Sequence, residues 1–211
     1  MFNNRSSAGK ELAEALFQYE DSEETIVLAL PRGGVPVAFE VAQRLHLPLD
    51  VLVTRKIGVP GHKELAMGAI SAGGVRVMND DVVRMAGVSE SQNQEAVDVE
   101  RRRAEKQEET FRGDKEALSA EGKHVILVDD GLATGASMRA ALKAVQAQKP
   151  AETIVAVPVG SPDSVRAFEK LADKVVALET PSGFQAVGQF YSVFDQTTDE
   201  EVRRLLKKSN A

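Results

Sequence analysis

The sequence has no cysteine and no tryptophan, and only three histidines and 5% aromatic residues among its 211 positions. Without cysteine there are no disulfide bonds, thiolate nucleophiles or thiolate sites for zinc and iron–sulfur clusters. The histidines are scattered (His46, His62 and His124), so a histidine-built metal site is not expected. No apolar run approaches the ~20 residues of a membrane span, and the polar N-terminus lacks the apolar core of a signal peptide. We therefore expect a cytoplasmic protein without membrane contact.

The charge balance is mildly acidic. Lysine and arginine together number 26 against 32 aspartates and glutamates, which gives a net charge of −6. This balance argues against nucleic acid as the main partner. Hydrophobic residues make up 43% of the chain, enough for a buried core. The length fits one domain over residues 1–211, with an insertion or flexible region at about residues 57–122.

Short apolar runs alternate with segments of helical periodicity through most of the chain. Strands are predicted at residues 25–30, 50–56, 125–130, 152–160 and 173–180. Helices are predicted at about residues 7–19, 35–47, 137–148 and 161–172. The strands are apolar throughout instead of alternating, which is typical of a parallel sheet buried on both faces. The predicted fold class is therefore α/β, with a parallel sheet flanked by helices on both faces.

This alternation is interrupted between about residues 56 and 123. The interruption holds a glycine-rich piece, a short strand-like run and a highly charged helix at about residues 89–111. The thin apolar stripe of that helix indicates a solvated helix; an arm that covers a site or contacts a second subunit is the alternative. Glutamates flank its basic triplet at residues 101–103, so pairing within the helix is preferred over nucleic-acid binding.

One stretch, VILVDDGLATGAS at residues 125–137, runs from an apolar strand into two carboxylates and then into small residues. Ligands of a parallel sheet bind beyond the carboxyl ends of its strands. Asp129 and Asp130 would repel each other there if both were buried and unpaired, so a divalent cation or two ligand hydroxyls are the candidate partners. The small residues let backbone N–H groups approach a phosphate, assisted by the hydroxyls of Thr134 and Ser137 and by a helix start.

The two carboxylates can bind the hydroxyl groups of a ligand, and the loop can bind its phosphate. Together they predict a site for a sugar phosphate. The lysine and spacing of a P-loop are absent, and no G-x-G-x-x-G follows a strand. The stretch instead resembles the phosphoribosyl-pyrophosphate (PRPP) binding motif of the type I phosphoribosyltransferases. LPRGGVPVA at residues 30–38 and VTRKIG at residues 53–58 are similar to segments of a bacterial-type group whose substrate is unassigned. The resemblance covers nearly the full length.

The resemblance implies the type I phosphoribosyltransferase fold, with a flexible loop, a helical insertion and a small C-terminal hood at about residues 180–198. It implies a PRPP-dependent pentosyltransferase of nucleotide salvage, which moves the 5-phosphoribosyl group from PRPP to a nitrogenous base and releases pyrophosphate. A homo-oligomer, as a dimer, is expected with it. Mg²⁺ is the expected cofactor, bound mainly through PRPP and not in a site built from protein ligands.

Site roles carry over from the resemblance residue by residue. Asp129 and Asp130 would accept hydrogen bonds from the ribose hydroxyls. The 5-phosphate would be held by Ala133, Thr134, Gly135, Ala136 and Ser137. Pyrophosphate would be held by Arg32, Gly33, Gly34, Arg55 and Lys56, and the catalytic residues would be Asp129, Asp130, Arg32 and Lys56. The alternatives are a plain strand–helix turn for the glycine segment and two solvent-facing charges for the Arg-Lys pair.

Two segments near the site are assigned in the same way. The loop at residues 57–68 would be a mobile cover, with His62 and Lys63 as further contacts. In the hood, Phe184 or Tyr191 would stack on the base, and packing at the edge of the core is the alternative. After the hood, residues 198 and 201 have the Thr-x-x-Glu spacing of a capping box that begins a final helix.

The sequence departs from the family where the base would be identified. An acid of the 6-oxopurine branch is replaced here by Ala133, and the lysine pattern of the orotate branch is not cleanly present, so the acceptor stays open. The second hypothesis is a non-catalytic regulator of the same fold that senses PRPP or nucleotides. The presence of Arg32, Arg55 and Lys56 favours the enzyme, because a sensor of a mononucleotide would not need a pyrophosphate side.

Overall fold

The structure is a computed structural model, and it describes residues 1–113 and 115–209. The strands in these residues are β1 (Thr25–Ala29), β2 (Leu49–Val51), β3 (Thr54–Val59), β4 (His62–Ser71), β5 (Arg76–Met78), β6 (His124–Val128), β7 (Glu152–Val159) and β8 (Lys174–Glu179). The helices are α1 (Arg5–Ala15), α2 (Gly34–Leu45), α3 (Asp80–Met85), α4 (Glu90–Arg112), α5 (Ala136–Gln146), α6 (Pro162–Phe168) and α7 (Asp199–Ser209). In this described part of the chain, no helix has both the length and the apolar character of a membrane span.

Five strands form a parallel sheet in the order β2-β1-β6-β7-β8. Alternate residues of each strand enter different cores: Val27 and Val128 face α1 and α2, whereas Leu28 and Leu127 face α5 and α6. Strands covered on both faces must be apolar at every position, which is why β1 and β6 read as unbroken apolar runs. The predicted fold class is confirmed. Because the five strands are parallel, their carboxyl ends all lie at the same edge of the sheet.

The strand predicted at residues 50–56 is wrong, because the chain there is divided between two sheets. β2 pairs in parallel with β1, whereas β3 pairs antiparallel with β4. At the crossing, the N–H of Leu52 donates to the end of β1 and the carbonyl of Val53 accepts from the residue after β4, both at 3.0 Å. Arg55 and Lys56 therefore lie on the second sheet and not at the carboxyl end of a core strand.

The segment predicted as a loop at residues 57–68 forms most of a β-hairpin. β3 and β4 turn at Gly61, whose φ of +82° suits glycine, and β5 completes a three-stranded antiparallel sheet. The mobility expected of this segment stays a prediction. Its buried side, with Ile57, Met67 and Ile70, packs against Val97 of α4, so the insertion has a small core of its own.

The charged helix predicted at residues 89–111 is confirmed as α4. Its buried residues recur every seven positions, at Val97, Ala104 and Phe111, and the rest of its surface is half-buried or exposed. Arg101 pairs with acids three positions before and four positions after it, and Arg103 pairs with Glu100. Pairing within the helix is therefore confirmed for these two arginines of the triplet.

Two predicted helix starts are also present. Ser161 caps α6 by accepting the N–H of Ser164 (3.2 Å), with Pro162 in the first turn. Thr198 accepts the N–H of Glu201 (3.1 Å) at the start of α7. α7 then packs on α2 and α4, so the end of the described chain completes the core on the α2 side of the sheet.

Candidate active site

The two aspartates lie directly after β6, at the carboxyl edge of the parallel sheet. The amide N–H of Asp130 donates to Oδ1 of Asp129 (2.8 Å), which turns that carboxylate back over the end of the strand. Both residues are half-buried. The strand order places β1 and β7 on either side of β6, so the segments that follow those strands form the surroundings of the acid pair.

The glycines that follow β1 lie in direct contact with the acid pair. A Cβ atom on Gly33 would be 2.1 Å from Oδ2 of Asp130, and one on Gly34 would be 2.7 Å from the carbonyl oxygen of Val128. Real Cβ atoms do not approach other atoms so closely, so a side chain at either position would displace the strand end or the carboxylate. The predicted pyrophosphate segment and the predicted ribose acids are therefore neighbours in space.

Arg5, at the start of α1, also reaches the acid pair. Its Nε and Nη2 atoms each lie 2.8 Å from Oδ2 of Asp130. Its Nη1 atom donates to the carbonyl of Asp195 (2.6 Å), and its guanidinium carbon lies 3.9 Å from the centroid of the Phe194 ring. The side chains of Arg5 and Asp130 are only 12% and 15% exposed.

The environment raises the pKa of both aspartates above the usual range. For Asp129, burial and the neighbouring charge of Asp130 both disfavour ionisation and raise the pKa well above its ordinary value. For Asp130, burial raises the pKa by more than the ion pair with Arg5 lowers it. A ligand whose hydroxyls donate to these carboxylates would stabilise their charged forms, and strongly perturbed acids in a cleft are typical of functional sites.

The second half of the loop from β6 to α5 is held through a carbonyl group, and its amides have no acceptor among the described residues. The carbonyl of Ala133 accepts hydrogen bonds from the hydroxyls of Ser161 and Ser164. Gly135 has a φ of +71° and precedes α5 without a side-chain cap. Among the described residues, no group accepts a hydrogen bond from the amides of residues 133–137. Unpaired amides before a helix start are the donors that a phosphate requires.

A cavity of about 140 Å³ joins this loop to the acid pair and to the second sheet. It is lined by the loop residues 131–137, together with Asp129, Lys56 and Val187. The side chain of Val187 packs on Gly131, where a Cβ atom would be 2.5 Å from it. One cavity thus contains an acid, a cation, the unpaired amides and a residue of the hood.

The two predicted cations of the second sheet face different surroundings. Lys56 is exposed, lines the cavity and has no ion-pair partner within the described ranges 1–113 and 115–209. Arg55 donates to Glu100 (2.7 Å) and to Gln107 (3.2 Å) of α4. The structure therefore brings Lys56 to the candidate site but engages Arg55 in holding α4 against the hairpin.

Arg32, the third predicted cation, directly precedes the two glycines that contact the acid pair. The peptide bond between Pro31 and Arg32 is cis. The Nη1 atom of Arg32 lies 3.4 Å from Oδ1 of Asp199 at the start of α7, and both side chains are substantially exposed. A pair that is exposed on both sides is weak, so the guanidinium can exchange this partner for an anionic ligand.

The two aromatic residues predicted to stack on a base are both packed in the hood. Tyr191 is 6% exposed, its hydroxyl donates to the backbone carbonyl of Asp130 (2.6 Å), and its ring contacts Phe2. This position leaves Tyr191 no free ring face for a base, which is a correction to the stacking role. Phe184 is half-buried and stacks on Phe190 with 5.4 Å between ring centroids. Its stacking role stays a prediction.

Within the described residues, no three or more histidine, cysteine, aspartate or glutamate side chains are grouped so that they could hold a metal ion. Apart from Asp129, the polar groups around the cavity are amides, hydroxyls and the ammonium group of Lys56, and their N–H and O–H groups can donate hydrogen bonds to phosphate oxygens. The residues present therefore fit a metal that arrives with a phosphorylated ligand.

Arg5 is the residue of this site that the sequence analysis missed. It lies 125 positions from Asp130, and no motif connects them. One local signal exists: a cation at the first position of a helix opposes the helix dipole and carries an energetic penalty. An arginine at that position therefore indicates a partner elsewhere in the fold, although it does not identify which one.

Known proteins match both the sequence and the fold. The family model described as "Phosphoribosyl transferase domain" matches residues 3–194. "Putative phosphoribosyl transferase Rv0571c" of Mycobacterium tuberculosis H37Rv is 45% identical over 215 aligned positions, which cover 100% of this chain and 47% of that protein. The chain thus spans about half the length of the curated relatives it matches.

A solved structure also matches this chain over nearly its full length. The crystal structure of the protein TT1426 from Thermus thermophilus has 43% identity and a TM-score of 0.84, and the match covers 99% of this chain and 98% of that one. The fold, the arrangement of the acid pair and its loop, and the match of the family model over most of the chain lead to one conclusion. The chain belongs to the phosphoribosyl transferase domain family.

Proposed function

We propose that the protein is an enzyme of nucleotide salvage that transfers the 5-phosphoribosyl group of PRPP to a nitrogenous base and releases pyrophosphate. The family membership supports a transferase of this class. The observation that carries the proposal is the cavity that joins Lys56, Asp129 and the unpaired amides of residues 133–137. This cavity offers separate groups for the phosphate, the ribose and the pyrophosphate of one substrate.

The 5-phosphate would bind at the loop between β6 and α5. Its oxygens would accept hydrogen bonds from the amides of residues 133–137 and from the hydroxyls of Thr134 and Ser137, near the positive end of α5. The ribose hydroxyls would then donate to Asp129 and Asp130. Charge-assisted hydrogen bonds of this kind are the strong ones, and they would offset the burial that raises the pKa of each acid.

The pyrophosphate would leave on the side of Gly33, Gly34, Arg32 and Lys56. As the bond between C1 of the ribose and the pyrophosphate oxygen breaks, positive charge develops on the ribose beside the two carboxylates. That charge is absent in the bound substrate, so the acids stabilise the transition state more than the ground state. Mg²⁺ bound through the phosphates would neutralise negative charge on the leaving group.

The acceptor would approach C1 from the hood side, where Val187 lines the cavity and the Phe184–Phe190 pair lies in the same segment. Ala133 carries no acid that could act on a purine base, and the described residues around the cavity contain no histidine. Among the described residues that line the cavity, Asp129 is then the one side chain that could accept a proton from the attacking nitrogen.

The test is to incubate the protein with PRPP and Mg²⁺ against a panel of purine and pyrimidine bases and to follow pyrophosphate release. Release that depends on one base, with formation of the matching nucleoside monophosphate, is the expected result. The Arg44→Gln variant, which changes an arginine remote from the cavity, is a control and should retain full activity. Binding of PRPP without turnover across the panel would instead support a regulator, and absence of PRPP binding would contradict both functions.

A further inference from the structure

Each of the three guanidinium nitrogens of Arg5 has a partner in the described structure. Two nitrogens converge on one oxygen of Asp130, the third nitrogen donates to the backbone of Asp195, and the ring of Phe194 covers its face. Stacking on the ring and a contact at each of the three nitrogens fix the planar group in one orientation. Arg5 therefore behaves as a rigid support and not as a mobile surface charge.

The contacts divide the two oxygens of Asp130 into different roles. Oδ2 receives both nitrogens of Arg5 and lies against the Cα of Gly33. Oδ1 receives no N–H or hydroxyl donor from another residue of the ranges 1–113 and 115–209. In Asp129 the roles are similar, because Oδ1 accepts the amide of Asp130 and Oδ2 has no such donor in the same ranges. Each acid thus has one oxygen that no N–H group or hydroxyl of these ranges engages, and the two carboxyl groups also contact each other.

The contacts of Arg5 also join the N-terminus to the hood. The N–H of Phe2 donates to the carbonyl of Phe190 (2.8 Å), and the N–H of Ser192 donates to the carbonyl of Phe2 (2.9 Å). The hydroxyl of Tyr191 donates to the backbone of Asp130. The first residues of the chain, the hood and the second aspartate therefore form one hydrogen-bonded unit, with Arg5 at its centre.

We infer that Arg5 is a positioning residue for PRPP binding: it holds Asp130 as an oriented carboxylate whose free Oδ1 accepts a ribose hydroxyl, and it couples that orientation to the hood. This inference rests on the proposed function. In this role Arg5 acts through Asp130, because its three guanidinium nitrogens contact Oδ2 of Asp130 and the carbonyl of Asp195.

The charges around Asp130 predict how the loss of Arg5 would be seen. The titratable groups that face it are Arg5 from α1, Asp129 from the same loop and Tyr191 from the hood. Among these, only Arg5 is a cation. Replacing it with a neutral residue raises the pKa of Asp130 further, so the carboxylate form that a ribose hydroxyl needs is lost at a higher pH.

The experiment compares Arg5→Gln, Arg5→Lys and the wild type. Calorimetry with PRPP and Mg²⁺ over a series of pH values gives the affinity, and ¹³C NMR of labelled aspartate carboxyls gives the titration of Asp130 without any ligand. The matched control is Arg44→Gln, because Arg44 also pairs with acids (Glu14 and Glu20) and also lies over a ring (Phe17), but far from the acid pair.

Arg5→Gln should bind PRPP roughly tenfold more weakly near neutral pH, and its affinity should fail at a higher pH than that of the wild type. Arg5→Lys keeps the positive charge but loses the planar guanidinium with its paired N–H donors. It should therefore have the pH dependence of the wild type but an affinity between those of Arg5→Gln and the wild type. Arg44→Gln should match the wild type in both measurements.

Three results would overturn the inference. One is an Arg5→Gln variant that binds PRPP more tightly than the wild type, since Arg5 would then be competing with the ribose. The second is weaker binding with an unchanged titration of Asp130, which would make the role merely structural. The third is a wild type that binds no PRPP although Asp130 titrates as described, and this result removes the proposed function itself.

Discussion

This molecule has two arginine–aspartate pairs of similar burial, and the carboxylate oxygens of the two pairs differ in the hydrogen bonds that they accept. Arg112 and Asp50 are 14% and 8% exposed, and Arg5 and Asp130 are 12% and 15% exposed. At Asp50, the N–H of Val51 and Nε of Arg112 reach Oδ1, and Nε of Arg112 and the N–H of Leu118 reach Oδ2. At Asp130, the N–H donors of Arg5 converge on Oδ2 alone.

The first pair secures the edge of the parallel sheet. β2 is an edge strand, and Arg112 together with Glu108 of α4 bonds to Val51 and Val53 beside it. An edge strand with free backbone groups invites association with another chain, and α4 covers this one. Here the carboxylate has all the donors it needs, and its function is structural.

The second pair leaves acceptors unused at the carboxyl edge of the sheet, where ligands of parallel sheets bind. An incompletely satisfied buried carboxylate destabilises the folded protein. A protein can retain such a carboxylate where a bound ligand donates the missing hydrogen bonds. Burial alone therefore does not separate a structural acid from a functional one. The number of acceptor oxygens left without donors does.

The largest expected effect is the loss of activity on neutralising both site acids. Asp129→Asn combined with Asp130→Asn should lower kcat/KM by roughly a thousandfold or more, because charge that stabilises the transition state is removed. Pyrophosphate release measures the activity, and circular dichroism with thermal unfolding measures the fold. A folded double variant with near wild-type turnover would contradict the role assigned to the acids.

The next largest effect should appear at the structural pair and on stability only. Arg112→Met leaves Asp50 buried without its cation, which should reduce the free energy of unfolding by about 3 kcal/mol. Urea denaturation measures this loss. The affinity for PRPP, measured on the folded variant, should stay within about twofold of the wild type because the pair lies outside the site. If Arg112→Met weakened PRPP binding as strongly as Arg5→Gln does, the distinction between the pairs would disappear.

A smaller effect is expected where the glycine segment meets Asp130. Gly33 has helical backbone angles that alanine can adopt, but its Cβ would press on Oδ2 of Asp130. Gly33→Ala should therefore weaken PRPP binding by about tenfold through displacement of the carboxylate. Gly73→Ala is the matched control, since the nearest atom to its Cβ would be 4.0 Å away, and it should bind PRPP normally. Equal affinity in the two variants would show that the carboxylate position is not constrained.

The features that could be predicted from the sequence are those formed by residues close together in the chain. The acids, the small loop and the helix start are contiguous at residues 129–137, so their chemistry could be recognised without a structure. The parallel sheet followed from strands that are apolar on both faces. The break at Leu52 and Val53 was missed because no glycine, proline or asparagine marks it, and the apolar run continues through it.

The partners of the arginines could not be predicted, because each lies far away in the sequence. Arg5 reaches Asp130 across 125 positions, and Arg55 reaches Glu100 across 45. A local pattern shows that a charge is present, but the partner is chosen by the packing of elements that are remote in the chain. For this reason Arg55 was assigned to pyrophosphate, whereas the structure places it against α4.

The smallest expected effect is on the pH dependence of stability. The change in stability with rising pH should have opposite signs for a variant at a site acid and for a variant at a structural acid. Burial and Asp130 raise the folded-state pKa of Asp129, so the ionised form destabilises the fold and stability falls as pH rises from about the ordinary value through the raised one. Asp129→Asn should therefore gain stability relative to the wild type as pH rises through that window. Hydrogen bonds from Thr153 lower the pKa of Asp173, so Asp173→Asn should lose relative stability over rising pH. Urea denaturation across the pH series measures both, and slopes of the same sign would refute the contrast.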